Sequence, residues 1–526
     1  MRVGVISVYT DYHRRGAHHR GVLQPHVGAL IAALLPAAVQ VEVVNDAWTD
    51  PDWLRDYDLL FISCLHSDFD RARQISHYWR RRGAMTVLGG NFASMYPRLC
   101  KPFFDAVAIG DPESSVRRIY DDFSRGALER FYVARAYDPA LVPTPRFDLT
   151  AHEVVLPLNF EVTRGCPYTC EFCTLTGIGT RHHVRPVEAV VRDIMQGRAT
   201  TRRSAPTYRH KMAIFYDNNL GGNLPYLRAL CDALEPLGLY WGVCVTFNVI
   251  CDADLLQRMA RAGCRGLFVG LESFNERTLE EMRKFQNVLG KLRAAIGHCH
   301  RHGILVMAGL MLSPGTDDAA YMESIPARLA ECGLHVPTYI CFETPFPGTP
   351  YFNRLARMPE TPFLPNALLR DFNGYTLTTR PAHMGAEDFV AAYKALRARV
   401  YSRRSRVAKF VRDLAATLPA GSLVPAALDL YELLSESKPL AANRTFIAGT
   451  DIEPPERVPL TDADFATERE RDAILRPFAV TDATGQVLPV WRDASPVYGR
   501  RGQVIARRPA PAQPDTPAAM PRSAMR

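Results

Sequence analysis

Cys166, Cys170 and Cys173 form the one tight group among the twelve cysteines of this 526-residue chain. Thiols spaced four and then three residues apart in a single loop can ligate three irons of a [4Fe–4S] cluster and leave the fourth iron open to a substrate-like ligand. Structural zinc takes four ligands, and His182 and His183 are near enough in sequence to complete a set, so zinc is a second reading of the same residues. Unrelated buried thiols are a third. The other nine cysteines have no metal-ligand spacing and read as reduced, mostly buried, small apolar residues.

These thiols need a scaffold, and the pattern around them supplies one. Residues 156–162 read as a strand directly ahead of the triplet, followed by strand patterns at 212–216, 241–246, 266–271, 305–310 and 338–342. Helical patterns at 187–195, 224–234, 253–262, 279–283, 289–301 and 321–331 separate them. Six such units predict a complete or partial (β/α)6 barrel of the TIM type, with chemistry at the carboxyl ends of the strands. Residues 1–125 repeat the alternation with strands at 3–9, 41–44, 59–63, 85–88 and 106–109, which predicts a flavodoxin- or Rossmann-like doubly wound parallel sheet. The chain is therefore expected to be α/β throughout its first two domains, at 1–135 and 158–370. A proline-marked linker at 136–157 joins them. A mainly helical region at 371–500 is expected to wall off the barrel opening, and a basic tail at 501–526, rich in Pro, Ala and Arg, to be disordered.

Composition narrows the classes further. The chain is 47% hydrophobic and 22% charged, ordinary for a globular protein and unlike a disordered or fibrous one. Its net charge of +8 is local. From Arg500 onward six arginines face one aspartate, so that end supplies +5 and the rest only +3, too little to argue for a nucleic-acid surface. The start of the chain reads as a strand and not as a signal peptide, and no run approaches eighteen apolar residues. A cytoplasmic location follows as the expectation, and there scattered thiols stay reduced.

The run Thr163-Arg164-Gly165-Cys166-Pro167-Tyr168-Thr169-Cys170-Glu171-Phe172-Cys173 resembles the CxxxCxφC loop of the radical S-adenosylmethionine superfamily, with Phe172 as the aromatic φ. The resemblance implies a [4Fe–4S] cluster on the three cysteines and S-adenosylmethionine beside it. It also implies that Tyr216, Asp217 and Asn218 contact the methionine amino group, and that Glu272 and Ser273 meet the ribose and carboxylate. Ordinary turn chemistry at 217–218 and a helix N-cap at Ser273 are the plain alternatives. The runs at 309–316 and 344–350 resemble one branch, the radical enzymes with an N-terminal cobalamin-binding domain.

That domain has its own marks. Asp11, His13 and Gly16 form D-x-H-x-x-G after the first strand, Ser63 and Leu65 form S-x-L after the third, and Gly89-Gly90 closes the fourth. In this order, at strand ends, they resemble the cobalamin-binding set. The glycines would let backbone approach the corrin and its nucleotide tail, and Ser63 would hydrogen-bond the tail. His13 is a candidate cobalt ligand oriented by Asp11, or else a loop histidine near the corrin. The resemblance is close over 1–135 and 156–355 and loose over 371–405.

The leading expectation is a cobalamin-dependent radical enzyme that methylates an unactivated carbon of a small molecule, fed by a flavodoxin- or ferredoxin-type electron donor, with no nucleic acid or membrane span involved. Radical oxidation, cyclisation or rearrangement without methyl transfer, as in the anaerobic bacteriochlorophyll ring cyclase, uses the same cofactors and is the alternative. A non-catalytic corrin sensor is the alternative from another class. Tyr339, Phe342 and Glu343, at the sixth barrel strand, are candidate substrate-facing residues.

Overall fold

A computed structural model of the chain describes residues 1–9, 26–46, 49–150, 156, 158–179, 181–202, 209–434 and 458–492, with strand pairs at 497–498 and 504–505. The first sheet contains β1 (Arg2–Ser7), β2 (Gln40–Asn45), β3 (Leu59–Ser63), β4 (Met85–Gly89), β5 (Ala106–Ile109) and β6 (Phe131–Val133), all parallel, in the order β2-β1-β3-β4-β5-β6. The order reverses between β1 and β3, the place where doubly wound sheets bind ligands. β6 has no counterpart in the sequence reading, because three residues of FYV beside a loop carry too little periodicity to register.

Alternation along these strands explains why both faces are covered. Val3, Val5, Leu59, Phe61 and Val87 pack with Ile31, Val116 and Ile119 on one face. Ile6, Leu60, Ile62 and Leu88 pack with Phe69, Ile75 and Trp79 on the other. A parallel sheet must be buried on both sides in this way, since its crossovers lay helices on each face.

The second sheet is also parallel and runs in sequence order: β7 (Leu158–Phe160), β8 (Met212–Phe215), β9 (Tyr240–Val245), β10 (Cys264–Glu272), β11 (Leu305–Leu312) and β12 (Tyr339–Phe342). β7 and β12 do not pair, so this is a partial barrel. Outward residues such as Phe160, Phe215, Val243, Val269, Leu310 and Phe342 join one large core with the surrounding helices. Inward positions alternate with them and include Gly242, Gly266, Phe268, Gly309 and Tyr339. Tyr339 stacks on Phe268 at 5.6 Å, and it crosses the space over Gly309, where a β-carbon would collide with its ring.

The open edge at β12 is covered by the chain that follows. Gly374 accepts from Phe342 N at 2.7 Å, and Tyr393 Oη and Arg397 Nη1 donate to the Ile340 carbonyl at 2.8 and 3.2 Å. An unpaired edge would otherwise template aggregation. Tyr393 and Arg397 belong to the helix Ala386–Val400, which with Arg403–Thr417 and Val424–Leu434 lies along the barrel flank.

The described residues of 371–500 therefore fall into two parts and do not form one wall over the barrel opening. The second part, 458–492, folds onto the N-terminal sheet. Arg73 donates to the carbonyls of Ala473 and Arg476, His77 stacks on Phe465, and Trp491 packs edge-on to Tyr96. Residues 363–372 lean the same way, through Phe363, Leu369 and Phe372. A boundary at 370 thus cuts a packed unit, because aromatic burial against the helix Phe69–Arg80 outweighs sequence order. The tail at 501–526 lies outside the described residues apart from the strand Val504–Ile505, as does 435–457.

Candidate active site between the two sheets

The cysteine loop leaves β7 and is fixed from three sides. Gly165 sits at φ +83°, a left-handed turn that favours glycine. Glu171 N donates to Met282 O at 3.2 Å, Tyr351 N donates to Glu171 O at 3.0 Å, and the Glu171 carboxylate pairs with Arg283 and Arg354. Ahead of the thiols, Arg164 pairs with Asp111 (2.9 Å), Glu113 (2.8 Å) and Glu161 (2.5 Å) and lies 4.3 Å over the Tyr137 ring. Asp111 and Glu113 follow β5, so this guanidinium ties the two sheets together immediately before Cys166.

Asn219 Nδ2 approaches Cys166 Sγ at 3.6 Å and Gln286 Nε2 approaches Cys170 Sγ at 3.9 Å. Burial raises Cys170 and Cys173 above the ordinary thiol range, and nearby Lys284 and the Gln286 amide draw Cys170 back down. Such thiols become thiolates readily only with a positive partner, which fits an iron–sulfur cluster. Among the described residues no three His, Cys, Asp or Glu groups converge on one ion position. His182 Nε2 lies 3.2 Å from Asn219 O and the His183 ring packs on Tyr137, so neither joins the thiols.

The sequence-expected residues fall into three groups. Asp217, Glu272 and Phe172 gather around the loop, and Tyr216 N donates to the Phe160 carbonyl at the end of β7 at 2.6 Å. Asp217 accepts from Thr163 N and is completely desolvated, which lifts its carboxyl to about 7. Glu272 ends β10 at φ +64°, where the register with β11 slips between Gly270 and Glu272. Asn287 Nδ2 donates to the carbonyls of Gly270 and Leu271 that the bulge releases, at 3.0 and 2.8 Å. A strained non-glycine residue held this firmly at a strand end is the kind of outlier that marks a site. Its carboxylate meets Lys284 Nζ at 2.5 Å, and that ammonium lies 5.7 Å over the Phe172 ring.

The second group is spread more widely. Asn218 is exposed, and its neighbour Asn219, wholly buried, turns to the thiols while accepting from Thr246 N and Oγ1. Ser273 is not a helix N-cap: Asn275 caps that helix, and Ser273 Oγ bonds Tyr321 Oη at 2.8 Å. Phe342 packs outward on Phe389 and Tyr393, at 5.9 and 4.4 Å. Tyr339, three positions away and hence on the opposite face, points inward with Met311, Cys341 and Tyr375 near Phe172. Glu343 is buried, accepts from Ser313 Oγ at 2.6 Å, and has its carboxyl raised to about 7 by desolvation.

The third group lies at the carboxyl end of the first sheet. Asp11, His13 and Gly16 lie outside the described residues. Ser63 ends β3, and Gly90, at φ +102°, places its backbone where a β-carbon would stand 3.3 Å from Ser63 Oγ. Around Gly89 a β-carbon would meet nothing nearer than Ala108 at 3.9 Å. Leu65 is half-exposed. Gly89 and Gly90 thus bring bare backbone to the end of β4 beside Ser63, which fits the close backbone approach that a corrin or its tail requires. Gln286 and Asn219 went unread in the sequence because they gain meaning only by tertiary approach to the sulfurs, and Lys284 because it does so only by facing Glu272.

The loops at the carboxyl ends of both sheets meet each other. The His66 ring, after β3, bonds the Phe372 carbonyl and lies 4.9 Å from Phe346, after β12. A β-carbon on Gly348 would press on Met95, after β4, at 2.7 Å. With the Arg164 bridge, three exits of the first sheet contact the exits of β7 and β12.

Residues 160–325 match the family model of the Radical SAM superfamily, so the barrel of this chain is a radical SAM domain, which takes a [4Fe–4S] cluster and S-adenosylmethionine. The chain is similar to the bacteriochlorophyllide d C-8(2)-methyltransferase of Chlorobaculum tepidum, with 24% identity over 62% of this chain and 74% of the relative. Its fold is shared with the radical S-adenosylmethionine methyltransferase TsrM from Kitasatospora setae, at a TM-score of 0.56 and 16% identity, covering 75% of this chain and 88% of that one. It is shared also with the cobalamin-dependent S-adenosylmethionine radical enzyme OxsB, at a TM-score of 0.57 and 12% identity over 83% and 75%. Among the described residues no helix is long and apolar enough to cross a membrane.

Proposed function

We propose that this protein is a cobalamin-dependent radical S-adenosylmethionine enzyme that methylates an unactivated carbon of a small molecule. The observation that carries the proposal is the packing of the two sheets carboxyl end to carboxyl end, since methyl transfer requires the corrin face and the radical site to open on one space. The names of the relatives, two of them methyltransferases and one a cobalamin-dependent radical enzyme, point the same way.

When bound, the cluster and S-adenosylmethionine supply a 5′-deoxyadenosyl radical and methylated cobalamin supplies the methyl group. The protein's part is position and enclosure. Cys166, Cys170 and Cys173 hold the cluster. Tyr216, Asp217 and Glu272 line the place of S-adenosylmethionine, and Asn219 takes the part expected of Asn218. Ser63, Gly89 and Gly90 make room for the corrin and its tail. Tyr339 and Glu343 face the substrate, with the Met311, Cys341 and Tyr375 side chains keeping the space dry, as a primary radical demands. Electrons come from a flavodoxin- or ferredoxin-type donor, and the reducing cytoplasm suits twelve unpaired thiols.

The test is anaerobic turnover of the reconstituted holoprotein with a chemical reductant, cobalamin and S-adenosylmethionine deuterated in its methyl group, acting on a metabolite extract of the source cells. Deuteromethylated product with comparable amounts of 5′-deoxyadenosine and S-adenosylhomocysteine is expected. Deoxyadenosine without S-adenosylhomocysteine would remove methyl transfer from the reading.

A further inference from the structure

The helices Arg403–Thr417 and Val424–Leu434 pack against each other with their polarity inverted. Arg406, Asp413, Thr417, Ser422 and Asp429 are buried. Lys409 ties the two helices together from within, its Nζ 2.6 Å from Asp413 Oδ2 and bonded also to Asp429. Outside, Val411, Leu418 and Leu423 are 55, 55 and 60% exposed, and Val407 and Leu430 are exposed as well.

The exposed aliphatic residues are ordered in stripes. Val407, Val411 and Leu418 are four and seven residues apart, with exposed Ala408 and Ala415 in the same stripe, and Leu423, Ala427 and Leu430 are four and three apart on the second arm. An ordinary surface helix turns such a stripe to the core and its charges to water. Here the ion cluster of Lys409, Asp413 and Asp429 takes the inner side, so the stripes face out. Apolar residues gathered on one exposed face mark an interaction surface.

The charges on this hairpin select what the surface fits. Arg403, Arg404 and Arg412 are exposed, and helical geometry places Arg403 and Arg412 on opposite flanks of the stripe through Val407, Val411 and Leu418. The acidic residues between 399 and 430 are Asp413 and Asp429, both buried on Lys409. A second copy of the chain would therefore meet the same arginines without carboxylates to pair them. An anionic lipid surface matches both features, acyl chains against the aliphatic stripes and headgroup phosphates against the arginines. We propose that the hairpin 403–430 rests on an anionic membrane surface, its stripes at the boundary between headgroups and acyl chains, and holds the protein there peripherally. At 15 and 11 residues the helices are too short to span a bilayer, so the contact is interfacial. The inference is independent of the proposed chemistry.

The experiment is flotation of the purified full-length protein with vesicles of phosphatidylcholine alone, and of phosphatidylcholine with phosphatidylglycerol as the minor component, at low and high salt. Wild type floats with the anionic vesicles, less so as salt screens the arginines, and stays behind with phosphatidylcholine alone. Val411→Asp sets a carboxylate in the middle of the stripe and lowers the partition coefficient by about tenfold. Arg403→Gln and Arg404→Gln each lower it by about fivefold. Thermal midpoints measured beside wild type show that these exposed substitutions leave the fold intact, and should Val411→Asp not fold, Val411→Ser and the arginine variants carry the test. A wild-type protein that does not float overturns the inference. So does flotation unchanged in every hairpin variant, which would put the contact elsewhere, as at the arginines from Arg500 onward. A reversible dimer in sedimentation that Val411→Asp dissolves, with no flotation, assigns the face to a second copy and overturns it too. Each of these outcomes leaves the proposed function standing.

Discussion

The two parallel sheets present their carboxyl ends to one another but equip them in opposite ways. The barrel does so with side chains: three thiols, the Asn219 amide, the strained Glu272 carboxylate and the Lys284 ammonium. The first sheet does so largely with their absence, at Gly89 and Gly90 beside the small Ser63. The ligands proposed for the two ends explain the difference. A compact inorganic cluster is held by directional bonds to a few atoms, so it needs donors at fixed places. A broad corrin is held by area, so it needs backbone that can come close and nothing in the way.

Removing a donor should therefore be all-or-none on one side and graded on the other. Cys170→Ala abolishes the cluster absorbance of the reconstituted protein while leaving cobalamin retention intact, checked by visible spectra of each loaded separately. Parallel loss of both would show that the two ends are not independent. Next in size is the bridge between them. Arg164→Ala strands Glu113 and Glu161 without their shared cation, and breaking a buried pair from one side costs about 3–5 kcal/mol. A large drop in thermal midpoint is expected, and a drop within error would mean that the network is solvated.

A third prediction concerns protons. Desolvation lifts Glu343 from 4.5 to about 7, so the folded protein binds that proton more tightly than the unfolded chain. The stability it contributes is full below about pH 4.5 and is lost as pH rises through about 7. Across that window wild type falls relative to Glu343→Gln by up to about 3 kcal/mol, readable as diverging thermal midpoints; parallel curves would place the carboxyl in water. The smallest effect belongs to the first sheet. Gly90→Ala forces a side chain into φ +102° beside Ser63, costing about 1–3 kcal/mol, and weakens cobalamin retention with no change in cluster content.

How far the sequence was legible follows the same division. Ligands close in sequence, such as the cysteine triplet, could be read directly, and so could both runs of alternating strands, because periodicity is local. Phe342 shows where more could have been read: Tyr339 and Phe342 are an odd number of positions apart, so a strand cannot turn both inward. Asn218 against Asn219 shows the opposite limit. Two identical residues follow a strand, and nothing local says which one the turn buries.

By itself, then, the sequence determined the α/β class, the order of the two sheets and the identity of the three thiols, since each rests on spacing within a single element. Tertiary structure decided that residues 458–492 pack on the first sheet and not over the barrel. It decided as well that Arg164 joins the sheets through Asp111 and Glu113, and that Asn219 and Gln286 stand at the sulfurs. Those contacts span from about fifty to four hundred residues, or depend on how one turn closes, and neither distance nor direction of approach is written in local pattern.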